Sequence, residues 1–401
     1  MSGYATHSRP RDLTLFTIAL LLSSWGMACQ AGTLRVEKDG SGDYLYIQEA
    51  VEAAASGDTI RMGAGRWEQK FLYTIPAGGW TDSVIVATDG KDLTVIGAGR
   101  EETIIGPDHG IPPYGAQGPI AFVVGTDHDL RVESLTIEYL RIGIYFWGDQ
   151  LSVNNVYFNR CFLGTTPFAI GGAIFEQSIF ECIDAGFSVT TRCTDLTIRE
   201  CEFIGLTQYH ISVRNIPVVL IESCDFYAGN ISIQFDGPSC SGVIRDCIVH
   251  SGYGPHIVAV GGCTMELVGN RLLGGNKQLT VYGSSTELYG SRNMFAGVDT
   301  PGPLTATIVC ASHTERVELH DGHILKGIGQ FTVYNGTHLF PTVLNLENNY
   351  WGTDDPDQIA DWILDSVDVP ELNATVDYLP FHPEPVAAER QSAGGLKRMF
   401  R

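Results

Sequence analysis

Positively charged residues are scarce in this chain. Lysine and arginine number 25 among 401 residues, aspartate and glutamate number 46, and the formal net charge at pH 7 is −21. Proteins that bind nucleic-acid phosphates usually carry a basic surface, so this balance argues against nucleic acid as a partner. A polyanionic ligand would also be repelled, unless a local basic patch or a bridging cation received it.

Long hydrophobic runs are also missing. The apolar run near the N-terminus, Leu13–Leu22, has about ten residues, which is too short to cross a bilayer. It follows Arg9 and Arg11 and precedes small residues, so residues 1–31 are predicted to be an export signal. No later segment resembles a transmembrane span. We therefore expect a secreted, periplasmic or cell-surface protein.

The ten cysteines include no pair with the Cys-x-x-Cys spacing of zinc sites. Gly26–Cys29 resembles a bacterial lipobox, although Gly26 stands where a leucine-like residue is usual. A cleaved signal and a lipid anchor at Cys29 therefore both remain open. The other nine cysteines are an odd number, so at least one thiol stays free even if the exported chain forms disulfides.

A repeated pattern begins near residue 92. Glycine is abundant, at 46 residues, and charged residues make up only 18%, which suits a turn-rich all-β protein. The pattern is apolar-x-apolar-x-x-small or polar-x-apolar. Its sixth position falls at residues 135, 156, 178, 201, 224, 247, 270 and 293, with looser copies at Val317–Ile324 and Leu344–Trp351. The spacing settles at 23 residues, which indicates a solenoid of stacked coils.

The sixth position of each repeat is predicted to point inward at a tight bend. Apolar residues alternate on both sides of it, as in two strands that meet at a corner. Successive coils would stack these side chains about 4.8 Å apart into an internal ladder. Its members include Cys201, Cys224, Cys247, Asn270, Asn293 and Asn349. The buried amides must be hydrogen-bonded within the ladder or to turn backbone.

Two short helices are predicted to close the ends of the solenoid, which would otherwise expose core and unpaired strand edges. Near the N-terminus, one helical face holds Ile47, Val51 and Ala54. Within Asp357–Leu364, one face holds Ile359, Trp362 and Ile363. The period is then lost, and residues 385–401 are predicted to be a flexible tail.

Cysteines of neighbouring coils are predicted to lie above one another at two places. Cys240 and Cys263 are 23 residues apart, and Cys161 and Cys182 are 21 residues apart. Each pair is a disulfide candidate, and each is also compatible with two small buried thiols.

The chain resembles the pectin-lyase-like superfamily over most of its length. Asp39–Asp43, followed by Ile47–Val51 and Gly65–Glu68, is similar to the N-terminal segment of pectin methylesterases. Asn348–Thr353, with Val376–Phe381, resembles the closing coil of secreted bacterial right-handed β-helix repeat proteins. The resemblance implies an all-β fold, a single-stranded right-handed parallel β-helix over residues 32–384. It does not specify chemistry, because this architecture hosts lyases, hydrolases, esterases, epimerases and binding proteins.

In this superfamily, sugar chains usually lie beside the first parallel sheet, which follows each ladder bend. Outward side chains there are predicted to form three columns that are polar at the centre and aromatic at both ends. Hydrogen-bonding groups flanked by rings suit a sugar chain. The candidate substrate-binding residues are Tyr145, Trp147, Asn230, Ser232, Gln234, Gln278 and Tyr282. The alternative is a solvated sheet face with scattered aromatic residues.

Two histidines of the first column are the main catalytic candidates. His210 and His256 would lie two coils apart with Asn230 between them, and either could act as a general base. Arg214 and Asp236 are nearby, and arginine can neutralise a uronate carboxylate. With Tyr253 or Tyr282 as the acid, the candidate catalytic set is His210, Arg214, Asp236, Tyr253 and His256.

This set would fit a polysaccharide lyase or uronate epimerase better than a hydrolase or esterase. Tyr253–His256 is similar to a signature of mannuronan epimerases, but the aspartate of that signature is missing. The triple-Asp pattern of polygalacturonases, the pectate-lyase motifs and the paired catalytic Asp of pectin methylesterases are missing too. The alternative is that both histidines are exposed on the sheet without a catalytic role.

No cofactor and no metal are predicted. Calcium would find carboxylates at Asp39 and Asp43, or within Asp354–Asp357, but these also suit a turn and a helix N-terminus. Two functions therefore remain. One is a monomeric exported protein that binds or processes an extracellular or envelope polysaccharide. The other is a non-catalytic scaffold or adhesion solenoid, with or without a lipid anchor at Cys29.

Overall fold

The structure is a computed structural model that describes residues 31–386, with gaps at 76–78, 110–117, 169–170, 191–192, 206–207, 251, 303–304, 312–313, 315 and 337–341. Residues 1–30, which hold Cys29 and nearly all of the predicted export signal, lie outside the described residues. The same is true of residues 387–401 of the predicted tail.

The strands are short and follow one another along the whole described chain. In the first half they are β1 (Thr33–Val36), β2 (Thr59–Met62), β3 (Gly65–Trp67), β4 (Phe71–Ile75), β5 (Trp80–Ala87), β6 (Leu93–Ile96), β7 (Thr103–Ile105), β8 (Ile120–Val124), β9 (Leu130–Glu138), β10 (Ile142–Phe146), β11 (Gln150–Asn159), β12 (Leu163–Pro167), β13 (Gly172–Glu176), β14 (Ile179–Glu181), β15 (Ala185–Thr190), β16 (Asp195–Arg199), β17 (Glu202–Ile204) and β18 (Tyr209–Arg214). In the second half they are β19 (Val218–Glu222), β20 (Asp225–Tyr227), β21 (Ile231–Asp236), β22 (Ser241–Arg245), β23 (Ile248–Val249), β24 (Pro255–Val260), β25 (Thr264–Val268), β26 (Arg271–Leu272), β27 (Lys277–Tyr282), β28 (Glu287–Ser291), β29 (Met294–Phe295), β30 (Ala306–Ala311), β31 (Arg316–His320), β32 (His323–Ile324), β33 (Phe331–Gly336), β34 (Thr342–Asn345), β35 (Ile363–Leu364) and β36 (Ala374–Asp377). The helices are α1 (Ile47–Ala53) and α2 (Pro356–Ala360).

These strands form a right-handed parallel β-solenoid of about 12 turns, as the sequence predicts. A typical coil consists of β16, β17 and β18. The third strand of each coil, such as β18, belongs to a 13-stranded sheet, here called sheet 1. The other strands build a 23-stranded sheet, here called sheet 2. Neighbouring coils pair in parallel, and β4 adds an antiparallel strand beside β5 at one end of sheet 1.

The bend between the first two strands of each coil is confirmed, and its backbone has a feature that the sequence pattern does not reveal. The residue before each ladder position has a positive φ, between 50° and 66°. These residues are Ser134, Asn155, Gln177, Glu200, Ser223, Asp246, Gly269, Arg292, Asp321 and Asn348. One left-handed residue turns the chain sharply and aims the next side chain into the core.

The ladder itself is buried and hydrogen-bonded. Asn270 Nδ2 donates to Ile244 O at 2.7 Å and to Asn293 Oδ1 at 3.0 Å, and Asn270 Oδ1 accepts from Cys247 N at 3.0 Å. The thiols of Cys201 and Cys224 lie against backbone carbonyls of the same bend and of the preceding coil. The amides therefore join consecutive coils through side chains as well as through strand pairing.

A stack of phenyl rings runs beside the ladder. The rings of Phe158, Phe180, Phe203 and Phe226 are nearly parallel, with centroids 4.7, 4.9 and 4.8 Å apart. All four side chains are buried. In these four consecutive coils the repeat places phenylalanine at the same position, so neighbouring coils pack ring on ring.

The N-terminal cap is confirmed, and the C-terminal cap is shorter than predicted. Helix α1 buries Ile47 and Val51 against the first coil. Helix α2 ends at Ala360, and Ile363 belongs to strand β35, which pairs with β33 as the last strand of sheet 1. The apolar spacing of Ile359 and Ile363 is that of a helix, but strand pairing with sheet 1 satisfies the backbone at Ile363 instead.

The cysteines outside the export signal are buried free thiols in the structure. Cys240 and Cys263 occupy neighbouring coils, because the next residues, Ser241 and Thr264, are paired. Cys161 and Cys182 are likewise one coil apart, because Ile183 N donates to Cys161 O. The predicted stacking is therefore present, but neither pair is joined by a disulfide bond.

Within the part of the chain that the structure describes, no helix has the length and apolar character needed to cross a membrane.

Candidate functional site

Strand pairing in sheet 1 corrects the register predicted for β21. Ile211 pairs with Ile233, and Ile233 pairs with Ile257. The inward residues of β21 are therefore Ile233 and Phe235. With Asn230, Ser232 and Gln234 predicted to face outward, Ile231 and Ile233 would have been the inward pair, but Ile231 is half-buried at the start of the strand. A shift of two residues preserves the alternation of inward and outward side chains, so the hydrophobic pattern alone does not detect it.

The first predicted column does not face outward. In the structure it consists of Gly186, His210, Ser232, His256 and Gln278, which lie at the bend where the chain enters each strand of sheet 1. His210 is 0% exposed, His256 is 1% exposed, and Gln278 is 0% exposed. The prediction that these side chains line an open groove is wrong. Asn230, predicted to lie between the histidines, is exposed in the preceding turn, and Ser232 is buried in its place.

Turn backbone and core rings enclose the two histidines. His210 Nε2 lies 3.2 Å from Gly205 O, and its ring is about 6 Å from the rings of Phe203 and Phe226. A Cβ atom on Gly229 would lie 2.5 Å from the His210 ring, and a Cβ atom on Gly275 would lie 2.5 Å from the His256 ring. Glycine in the turn of the next coil therefore makes room for each imidazole.

Burial keeps both histidines neutral. It lowers the pKa of His210 to about 4 and the pKa of His256 to about 4, because a charged imidazole would lose its hydration. Neutral imidazole is the form that a general base requires, but neither ring reaches the surface. In this structure neither imidazole can contact a substrate, as the predicted catalytic role would require.

Two outward columns form the accessible face of sheet 1. The second column contains Tyr145, Thr166, Ser188, Ser212, Gln234, Val258 and Thr280, and the third contains Trp147, Phe168, Arg214, Asp236, Val260 and Tyr282, with the backbone of Thr190 at the position between Phe168 and Arg214. In this register Gln234 belongs to the second column, and Asp236 stands next to Arg214. From Trp147 to Tyr282 the third column spans roughly 29 Å, six steps of the strand spacing.

Arg214 and Asp236 form an ion pair at the centre of the third column. Arg214 Nε and Nη2 donate to the same oxygen, Asp236 Oδ2, at 2.7 and 2.6 Å. The Arg214 side chain is 56% exposed and that of Asp236 is 21% exposed. The two residues are in neighbouring coils, and their backbones are paired.

Tyrosines flank this ion pair. Burial and the negative charge of Asp236 raise the pKa of Tyr282, and Tyr209 contributes to the shift. Tyr209 is half-buried at the start of β18 and was not predicted as a site residue. The other candidate acid, Tyr253, is 74% exposed in the turn before β24, where its carbonyl oxygen accepts from Asn276 Nδ2.

An aromatic cluster occupies the N-terminal end of the face. Trp147 stacks on Phe168 with 4.9 Å between ring centroids, and Phe168 lies 5.9 Å from Tyr145. Trp80, from the hairpin of β4 and β5, covers Tyr145 edge-on at 5.7 Å and is 39% exposed itself. Tyr145 is therefore buried, contrary to prediction, and Trp80 and Phe168 were missed. Phe168 follows Trp147 by 21 residues, one coil, so the repeat could have identified it.

Carboxylates considered as calcium ligands accept hydrogen bonds from backbone amides instead. Asp39 Oδ1 accepts from Ser41 N at 2.9 Å, and Asp43 Oδ2 accepts from Arg35 N at 2.8 Å. Asp355 caps helix α2 by accepting from Asp357 N and Gln358 N. Among the residues with assigned positions, no three His, Cys, Asp or Glu side chains are grouped so that they could hold a metal ion.

Two concave regions lie away from the candidate face. A cavity of about 760 Å³ opens beside α1, between Tyr46, Trp67 and Phe71. A shallower depression of about 450 Å³ on the outside of sheet 2 is lined by Val218, Val243 and Tyr289. Neither includes a residue predicted for catalysis or substrate binding.

Comparison with known protein families supports the assigned fold. The family model described as "Right handed beta helix region" matches residues 142–295. This segment contains seven of the eight regular repeats and most of the candidate face. This match and the two relatives described next support a right-handed β-helix of the pectin-lyase-like kind.

Two relatives from Arabidopsis thaliana match parts of the chain. "Probable pectinesterase/pectinesterase inhibitor 33" is 26% identical over 177 residues, which are 38% of this chain and 28% of the relative. "Probable pectinesterase/pectinesterase inhibitor 6" is 38% identical over 72 residues, 18% of this chain and 12% of the relative. The chain thus matches less than a third of the length of either relative.

Two solved structures match much of the chain in a structure comparison. "Pectin methylesterase from Carrot" is 12% identical, with a TM-score of 0.29, and the match covers 75% of this chain and 84% of that one. A "mannuronic acid specific polysaccharide family 6 lyase enzyme from human gut microbiota" is 12% identical, with a TM-score of 0.26, and the match covers 92% and 93%. Both TM-scores are below 0.5, so these superpositions transfer no residue roles.

Proposed function

We propose that the protein is an exported β-helix that binds a polysaccharide along the outer face of sheet 1. The observation that carries the proposal is the third column, in which Trp147 and Phe168 stand at one end, Tyr282 at the other, and polar side chains between them. The relatives named as pectinesterases favour a polysaccharide over other extended ligands.

The chemistry of the face suits a sugar chain. The stacked Trp147 and Phe168 rings offer an apolar surface to a sugar ring, and the 38% exposed Tyr282 offers a second one. Ser212 and Gln234 are half-buried in the second column and can exchange hydrogen bonds with hydroxyl groups. The proposed ligand therefore lies across the strands, parallel to the solenoid axis.

The same face favours binding over chemical processing. The two histidines are enclosed, so the acid and base candidates that remain accessible are Asp236, Tyr253 and Tyr282. Asp236 is held by Arg214, and a hydrolase would need a second carboxyl about 6.5–9.5 Å away for inversion or about 5 Å away for retention. The described residues of the third column include no such carboxyl besides Asp236.

Affinity electrophoresis against a panel of soluble polysaccharides tests the proposal. Trp147→Ala should weaken retention by at least about tenfold, because losing one stacked ring removes about 1.4 kcal/mol or more. Tyr289→Ala, on the outer side of sheet 2, is the matched control and should leave retention unchanged.

A failure to retain any polysaccharide would overturn the proposal. Retention that survives Trp147→Ala and is lost in Tyr289→Ala would move the ligand to sheet 2. If nothing is retained, the remaining function is that of a non-catalytic scaffold or adhesion solenoid. Mass spectrometry of the exported chain would then show whether Cys29 carries a lipid.

A further inference from the structure

The ion pair of Arg214 and Asp236 determines which charge the candidate face presents. Arg214 is the cation of the third column, and two of its nitrogens already donate to Asp236 Oδ2. Lys277 is half-buried at the opposite end of its strand from Tyr282. Arg141, near the start of β10, is 12% exposed and paired with Asp82. The described residues of the third column, which would hold the ligand, therefore carry no net positive charge.

An anionic ligand would be repelled by the third column. A uronate carboxylate that approached Arg214 would have to displace the Asp236 carboxylate or share the guanidinium with it. Two carboxylates in contact with one cation repel each other, and the cost is larger where water is partly excluded. The chain as a whole adds to the repulsion, because its formal net charge is −21.

A neutral ligand meets no such cost. Hydroxyl groups can donate to the unshared oxygen Asp236 Oδ1 and accept from Arg214 while the ion pair stays intact. The stacked rings contact the apolar faces of a neutral sugar as well as they contact those of a uronate. Discrimination between the two ligand types would then come from repulsion of the wrong one, which is a common basis of specificity.

We propose that the face selects neutral polysaccharides and that Asp236 is the residue that excludes polyuronates. This inference rests on the proposed function, because it concerns the ligand class of the same face. Arg214 holds the Asp236 carboxylate in place. The carboxylate in turn neutralises the guanidinium charge that would otherwise attract an anionic chain.

A matched pair of polymers tests the inference. Polygalacturonate and the same polymer after reduction of its carboxylates to hydroxymethyl groups differ in charge but share the sugar linkage. The wild-type protein should bind the reduced polymer at least about tenfold more tightly at low salt, and the preference should shrink as ionic strength rises. Isothermal titration or affinity electrophoresis measures both affinities.

Substitution of the ion pair separates its two members. Asp236→Asn keeps a hydrogen-bond acceptor beside Arg214 but frees the positive charge, so the affinity for polygalacturonate relative to that for the reduced polymer should rise at least about tenfold. The double variant Arg214→Gln/Asp236→Asn is neutral and should bind both polymers about equally. Lys277→Ala removes a cation outside the third column. As the control, it should bind both polymers with the affinities of the wild type.

The outcomes distinguish this inference from the proposed function. Wild-type protein that binds polygalacturonate as tightly as the reduced polymer overturns the selection for neutral chains, although polysaccharide binding stands. An unchanged preference in Asp236→Asn overturns the role of Asp236. A wild-type protein that binds neither these polymers nor any other polysaccharide of the panel overturns the proposed function itself.

Discussion

His210 and His256 occupy the same position in two coils, and Gln278 fills that position in the coil after His256. Gln278 Nε2 donates to Gly274 O at 3.1 Å and to Gly297 O at 2.9 Å. At this position both His210 Nε2, 3.2 Å from Gly205 O, and the Gln278 amide therefore meet turn carbonyl groups. Histidine differs from glutamine in one respect, since it can take up a proton.

Acid should destabilise the protein through these two histidines. Their pKa in the folded state is about 4, against about 6.5 for an exposed histidine. At pH values between these two, the histidines are protonated in the unfolded chain but not in the folded chain. The free energy of unfolding therefore falls as the pH drops from about 7 to about 4. Each histidine can contribute up to about 3 kcal/mol to this loss. Thermal denaturation at pH 7 and at pH 4.5 measures it.

Glutamine provides the matched replacement. His210→Gln/His256→Gln should retain most of its stability at pH 7 and should lose less Tm than the wild type between pH 7 and pH 4.5. His109→Gln removes an exposed histidine and should follow the wild type. If the double variant shows the same acid loss as the wild type, the buried histidines are not its source.

The burial of this column could not be predicted from alternation alone, for a reason visible at its other members. Strict alternation places His210 on the same side as Ser212, but the chain turns between them and the next coil covers the bend. From Gly186 the column continues toward the N-terminus through Gly164 and Gly143, and a Cβ atom on any of these three glycines would lie within about 3 Å of other atoms. Three glycines in register were the available sign of a crowded position.

At the scale of the coil, the ladder predicted from the repeat is confirmed where the hydrophobic period is strict. The left-handed residue before each ladder position escaped prediction because nine of the ten are not glycine. The two flanking strands impose the backbone conformation there, since it is the same before the apolar ladder residues Leu135 and Val156 as before the ladder asparagines. A tertiary constraint of this kind leaves little trace in the residue that adopts the conformation.

The ladder asparagines should contribute more to stability than the ladder cysteines. Asn270→Ala leaves Cys247 N and two carbonyl partners without their side-chain bonds in a dry core, which should lower the free energy of unfolding by about 2–4 kcal/mol. Cys224→Ala removes a thiol whose contacts to carbonyl groups are 3.2 and 3.7 Å long, and should cost about 1 kcal/mol. Chemical denaturation of both variants checks the order, and an equal loss would show that the amide bonds add nothing beyond packing.

At the scale of the whole molecule, each coil contacts mainly the coils beside it. Strands of sheet 1 pair only with the preceding and the following coil across the described residues, as β18 does with β15 and β21. Stability in such a stack is close to a sum of coil and neighbour terms, so opening can begin at an end and need not involve the centre. The period in the sequence predicts this organisation, but it does not predict which end is better closed.

Helix α1 should therefore protect the first coils locally. Val51 is 0% exposed and packs on the first coil, so Val51→Asp places an unpaired charge in the core at that end. Hydrogen exchange followed by mass spectrometry should show faster exchange in β1 and β2, with β18 and β21 as slow as in the wild type. Glu52→Gln, one residue along the same helix and exposed, is the control and should leave all strands unchanged. Equal acceleration in β2 and β21 would mean that the solenoid opens as one cooperative unit, because loss of the cap would then have spread through every coil.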